Sequence, residues 1–416
     1  MLRYNRYLIL GLVLFMQLSA FAQNNTNSPY TRFGYGELAD RSFGAGRAMG
    51  GLGVGLRSKK QINPMNPASY SAMDSLTFMF DAGASAQMSW FDDGNSKQHD
   101  ISGNIEYLAL QFPLNRRLAA SVGILPYSYV GYKFGSAKTE GGVNYSETFV
   151  GKGGLNDIYV GLAYDVWKNR LSVGANVGYM FGSITHERNL TIAQGHDVYR
   201  YQKLRAHDIK VDFGLQYVHP FSKTENFTLG LTFKPKQTLS AESTDIKRLS
   251  GQTEDTGAGG SDTISNQQFN IPLSLGFGLS YNKTDKLTLG ADFQYEKWSS
   301  VKFYDKENQF KNRTRFALGA NYIPNTRSKS FFSRVQYRGG LHYSNSYQKI
   351  NNSDYKEYGV SVGMGLPLVD NRSFVNISFE YNKVKPSAVS MIDEQYFRFT
   401  VNYTFNEMWF YKMKIN

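Results

Sequence analysis

The chain has no cysteine, which excludes disulfides, thiolate metal sites and a lipid-modified N-terminal cysteine. Beyond its first two dozen residues it has no apolar run approaching the ~20 residues that a membrane helix needs. Proline is scarce at 11 residues in 416, and histidine scarcer at 6. The histidines (His99, His186, His196, His207, His219 and His342) include no metal-spaced H-x-x-x-H pair. His207 adjoins Asp208, but neighbours on a strand point to opposite faces, so no catalytic pair arises there. The sequence therefore offers no catalytic residue, no metal site and no need of a cofactor. The net charge of +12 is spread along the chain without a clustered basic tract, which argues against nucleic acid as a partner.

What is abundant points to β-structure. The chain holds 29 Tyr, 29 Phe and 40 Gly, and long stretches alternate strictly. Leu287, Leu289, Ala291, Phe293 and Tyr295 share one face, while Thr288, Asp292, Gln294 and Glu296 share the other. The same holds for Ile209 to Tyr217 against Lys210, Asp212 and Gln216, and for Val375 to Tyr381 against Asn376, Ser378 and Glu380. Phe397 to Phe405 alternate with Arg398, Thr400, Asn402 and Thr404 in the same way. Period two with one wholly apolar face is a strand. A secreted β-sandwich array would bury that face and show linkers about every hundred residues, and none is found. In a membrane barrel the apolar face meets lipid and the polar face lines the lumen. Hydropathy averaging then misses it, consistent with a mean of −0.42.

Connections alternate in length. Short polar turns fall at 113–116, 167–170, 219–226, 282–286, 324–329 and 368–372. Longer polar segments lie near 92–100, 135–152, 187–203, 240–267, 298–311, 345–357 and 385–394. Short periplasmic turns and long outer loops are the outer-membrane pattern, here joining about 14 strands with both barrel ends on the periplasmic side. The expected fold is all-β, a transmembrane antiparallel barrel over 76–416. Residues 1–22, with a basic start, a short apolar run and Ala20-Phe21-Ala22, read as a cleavable signal peptide. Residues 23–75, dense in glycine, read as a plug. Near their end, Asn63-Pro64-Met65-Asn66-Pro67-Ala68 bars a helix and implies a compact turn.

Within the barrel, Gly123 and Pro126 interrupt the third strand, because proline cannot donate to the ladder and implies a kink or gap. Pro235 reads as the end of the seventh strand. The lumen face carries Lys210, Asp212, Asp292, Glu296, Glu380 and Arg398, expected to pair as one charge network, since unpaired burial is costly. The aromatic tail from Trp409 to Tyr411 reads as an interfacial girdle or a short extension.

The signal peptide, the Gly-Arg-Ala-x-Gly-Gly segment (Gly46 to Gly51), Asn66-Pro67-Ala68 ahead of the first strand, about 14 strands and the interrupted third strand resemble the FadL-like long-chain fatty-acid and hydrocarbon transporters of Gram-negative outer membranes. The resemblance implies an N-terminal hatch, with Asn66, Pro67 and Ala68 as its motif. It also implies a kink at Pro126 opening a lateral window from lumen to membrane for a hydrophobic small molecule. Outer-membrane lipid is then one partner. The charged lumen and the polar loops support a second reading. In it the protein is a closed, non-transporting subunit that binds other outer-membrane proteins and lipoproteins in a β-barrel assembly machinery or a secretion complex.

Overall fold

A computed structural model describes residues 26–408, apart from 168–169, 194, 250–260, 266–267, 351–352, 369–371 and 389–390. The expected signal peptide and the aromatic tail from Trp409 lie outside the described residues, as does most of the 251–261 loop.

The chain forms a closed antiparallel barrel of 14 strands. They are β1 (Thr77–Asp92), β2 (Lys97–Pro113), β3 (Leu118–Glu140), β4 (Val143–Trp167), β5 (Leu171–Ile192) and β6 (Val198–Pro220). Strand β7 has two parts (Glu225–Lys234 and Gln237–Leu249), and β8 has three (Ser261–Ser265, Phe269–Ile271 and Leu273–Lys283). The circuit continues through β9 (Leu287–Lys297), β10 (Arg313–Tyr322), β11 (Gln336–Asn345), β12 (Tyr355–Pro367), β13 (Phe374–Pro386) and β14 (Asp393–Met408). Strand β14 pairs along its whole length with β1 and closes the ring.

The barrel is inside out relative to a soluble sandwich. On β4, Ile158, Val160, Leu162, Tyr164 and Val166 are 41–53% exposed, whereas the alternating Asp157, Tyr159 and Ala163 are at most 1% exposed. An exposed apolar belt around a polar interior is stable only against lipid.

Strand lengths are uneven. A membrane strand needs ~9–11 residues, and β9 to β11 have 10 or 11. Strands β3 to β6 have 22–25 and rise beyond the belt as a wall, joined by the second part of β7. The segments 135–152 and 187–203, expected as loops, are therefore mostly hairpin extensions. Apart from Phe149, which packs on Phe134, their side chains are mostly polar and exposed or half-exposed, so the apolar alternation that marks a strand is absent there. Pro235 is likewise a break and not an end, since β7 resumes at Gln237 and pairs with β6 up to Leu249. The expected short turn at 324–329 belongs to a longer connection containing the helical turn Phe331–Arg334.

The plug fills the interior from the outer end to the periplasmic end. It starts beside the top of β14, where Ser28 Oγ donates to Glu394 at 2.8 Å. A 3-10 turn follows (Pro29–Arg32), then a two-residue strand (Glu37–Leu38), a helical turn (Gly44–Arg47) and a second 3-10 turn (Pro67–Ala72) that leads into β1.

Candidate functional site

The hatch turn is built by its two asparagines. Asn66 caps the 3-10 turn by accepting from the Ala68 amide at 3.2 Å, with Pro67 at the first position, where its missing N–H costs nothing. Its amide nitrogen reaches back to Val54 O at 2.8 Å. Asn63 donates to Gly53 O at 2.6 Å and Leu56 O at 3.0 Å, so both side chains tie the turn to the glycine-rich segment. The wall admits this turn through glycine: a Cβ on Gly174 would lie 2.5–2.7 Å from Pro67 and Ala68 backbone, and one on Gly214 would overlap Asn66 and Pro67. Asn66→Ala removes the cap and the side-chain amide's bond to the buried Val54 carbonyl. We expect a loss of about 2 kcal/mol, read as a lower temperature for the heat-dependent gel shift of the folded barrel.

The lumen charges do not form the single network expected of them. The six expected members instead grip the plug or a local neighbour. Lys210 Nζ pairs with Asp157 (2.8 Å) and Asp212 (2.9 Å), and plug Arg41 joins the same two carboxylates at 2.9 and 3.5 Å. Asp292 accepts from three consecutive plug amides, Gly53, Val54 and Gly55, at 2.7–3.1 Å. Glu296 pairs with Arg313 and accepts from Trp298 Nε1 at 2.7 Å. Glu380 lies 3.9 Å from plug Arg47, and Arg398 binds Gln87 and reaches Glu37 of the plug. Sequence reasoning missed Arg41, Arg47, Asp40, Glu106, Asp157 and Arg315. Arg47 is 1% exposed and pairs with Glu106 at 2.9 Å, and Arg315 pairs with Asp40 at 3.0 Å. The one available signal was four arginines, Arg32, Arg41, Arg47 and Arg57, in a plug destined for a polar lumen.

The outer end is closed by aromatics. Tyr35 of the plug is fully buried among Trp298, Phe303, Phe310 and Tyr347, contributed by the β9–β10 and β11–β12 connections folding inward. Tyr347 Oη donates to Gly36 O at 2.6 Å and accepts from the Tyr35 amide at 3.1 Å. Tyr35 Oη donates to Asn270 O at 3.0 Å. The cavity left between this lid and the hatch is ≈ 160 Å³, and ionisable groups border it, among them Asp40, Arg41, Lys210, Asp212, Glu296 and Arg313.

Among the described residues the wall has one gap, between β2 and β3. Strand β2 pairs with β3 only between Leu108–Pro113 and Ala119–Ile124. Above Ile124 the register of β3 shifts at Pro126, and its next partners are plug residues: Ser128 faces Leu38, Tyr129 faces Glu37, and the Ala39 amide donates to Tyr127 O at 3.0 Å. The outer half of β2 pairs with β1 alone. Gly123 lies below the gap, still paired with Ala109. Among the described residues no group of three or more His, Asp or Glu could hold a metal ion.

The BamG family model matches residues 4–416, nearly the whole chain. The chain belongs to the BamG family. No curated protein matches this BamG-family chain in sequence. In fold it is similar to the toluene transporter TodX of Pseudomonas putida (15% identity, TM-score 0.58, 90% of this chain and 100% of that one). It is similar also to a FadL homologue of Pseudomonas aeruginosa (14%, TM-score 0.58, 89% and 99%) and to the monoaromatic hydrocarbon channel CymD (16%, TM-score 0.56, 89% and 99%). The BamG-family barrel thus has the FadL-like outer-membrane fold.

Proposed function

We propose that this BamG-family barrel is a sealed, non-transporting subunit of an outer-membrane assembly, its transporter-like fold put to structural use. The observation that carries the reading is the interior. Plug and wall are joined by buried ion pairs, the outer mouth is closed by the chain's own aromatics, and the residual cavity is lined with charge. A hydrophobic molecule on that path would have to displace Tyr35 and then cross ionised groups, which desolvation makes costly. The family designation supports the β-barrel assembly machinery as the assembly, with another barrel and lipoproteins as partners.

A second reading, passage of a hydrophobic small molecule into the membrane, is favoured by the gap beside Pro126. Tagging the C-terminus, extracting native membranes in mild detergent and identifying stoichiometric companions separates the two. A second barrel and lipoproteins in fixed ratio support the subunit reading; a lone barrel that retains an apolar ligand overturns it.

A further inference from the structure

The height of the membrane can be read off the wall. On β6 the outward side chains Phe213, Val211 and Ile209 are apolar, and the next three going up are His207, Arg205 and Lys203. On β5 the apolar column ends with Tyr179 and Phe181, and on β4 with Ile158. Register pairs Tyr179 with Ile209, Phe181 with His207 and Ser183 with Arg205, so the three strands change character at one level. That level is the outer edge of the hydrocarbon core, where lipid headgroups lie.

A groove of ≈ 790 Å³ opens on the outside of the barrel at this level. Tyr179 and Phe181 form its lower, apolar part, Lys203, Arg205 and His207 its upper part, and Glu242 stands beside Arg205. A crease in the sheet shapes it. Gly153, Gly154 and Gly182 have φ of 112°, 149° and 155°, and a Cβ on Gly182 would collide with the Gly154 carbonyl. The cations are available. Lys152 and Arg200 nearby are paired with Glu187 and Asp245, but among the described residues neither Lys203 nor Arg205 has an ion pair or a side-chain hydrogen bond.

We propose that this groove binds the phosphate-bearing headgroup of an outer-leaflet glycolipid of the lipid A type. Its acyl chains would run down over Tyr179, Val177 and Ile209, and its phosphate would be held by Lys203 and Arg205. The site is amphiphilic along the membrane normal, as the ligand is, and guanidinium and ammonium groups together form charge-assisted bonds to phosphate. A soluble phosphate would use only the upper half.

The purified full chain in mild detergent is titrated, under native mass spectrometry, with bis-phosphorylated lipid A, with the same lipid after phosphatase treatment, and with inorganic phosphate. The expected result is retention of the phosphorylated lipid, at least about tenfold weaker retention of the dephosphorylated form, and no competition by inorganic phosphate at millimolar concentration. The doubly substituted protein, Lys203→Gln with Arg205→Gln, should lose phosphorylated-lipid binding by a similar factor. Equal retention of both lipids, unchanged binding by the double variant, or displacement by phosphate alone overturns the proposal. Should the variant not fold, the comparison of the two lipids on the unaltered protein still decides.

Discussion

Replacing Arg47 with Met lowers the stability of the folded barrel by about 3–5 kcal/mol, the cost of leaving buried carboxylates without their cation. Arg47 is almost fully enclosed and bonds Glu106 at 2.9 Å, with Glu380 at 3.9 Å. Methionine fills much the same volume, so the loss is electrostatic and not a cavity effect. The second substitution is therefore diagnostic: Glu106→Gln in the Arg47→Met background should restore part of the loss, because one orphaned charge disappears. A double-mutant cycle read by urea titration in detergent checks this, and additive single effects would show that the pair is not coupled. Asp40 supplies a pH arm. Burial alone would raise its carboxyl, but Arg315 and then Arg47 outweigh it and hold the group at about 2. A depressed folded value stabilises the plug fully above the ordinary carboxylate range. That contribution is lost only as pH falls from about 4 toward 2, so plug anchorage should persist at pH 5.

Lipid and backbone chemistry leave a mark on the sequence, whereas the surroundings of Arg47 do not. Strands such as Leu287–Lys297 announced themselves because lipid imposes an apolar side chain at every second position. Pro126 announced itself because it cannot donate to a ladder. The Asn-Pro pairs did so because they leave few backbone options. By contrast, Glu106 and Asp157 look like any other inward polar residue of an alternating strand. Only the folded interior decides that they are ion-pair partners, Glu106 of plug Arg47 and Asp157 of both Lys210 and plug Arg41. Nor does a Gly-rich segment have a period from which the direction of Arg41 or Arg47 could be read. The outer seal was hidden by distance along the chain, since Tyr35 and Tyr347 are 312 residues apart and meet only through the closed barrel. The lumen residues Lys210, Asp292 and Glu380 are all buried inside the barrel. Alternation alone puts them in one network, because the sequence does not reveal that they contact different parts of the plug.

Tying the plug to the wall tests whether any of these anchors must release. The absence of cysteine makes the experiment clean, because an introduced pair has no competitor. Leu38 and Ser128 face each other across the short ladder between the plug and β3. The flanking Ala39 amide bonds Tyr127 O, which makes Leu38 and Ser128 a pair without mutual backbone hydrogen bonds. Such pairs have Cα atoms about 4.5 Å apart, within disulfide range. Leu38→Cys with Ser128→Cys should therefore oxidise readily and pin the plug strand where it fills the gap beside Pro126. For a sealed subunit, the expected outcome is that the crosslinked protein retains its companions and its cellular role as well as the reduced form does. A barrel that passes hydrophobic molecules through this gap must move the same strand aside, so oxidation would abolish uptake and reduction would restore it. Loss of role on oxidation together with recovery by reductant would overturn the sealed-subunit reading. Equal behaviour in both states, with crosslinking verified on a non-reducing gel, would leave the gap a structural feature of a closed wall.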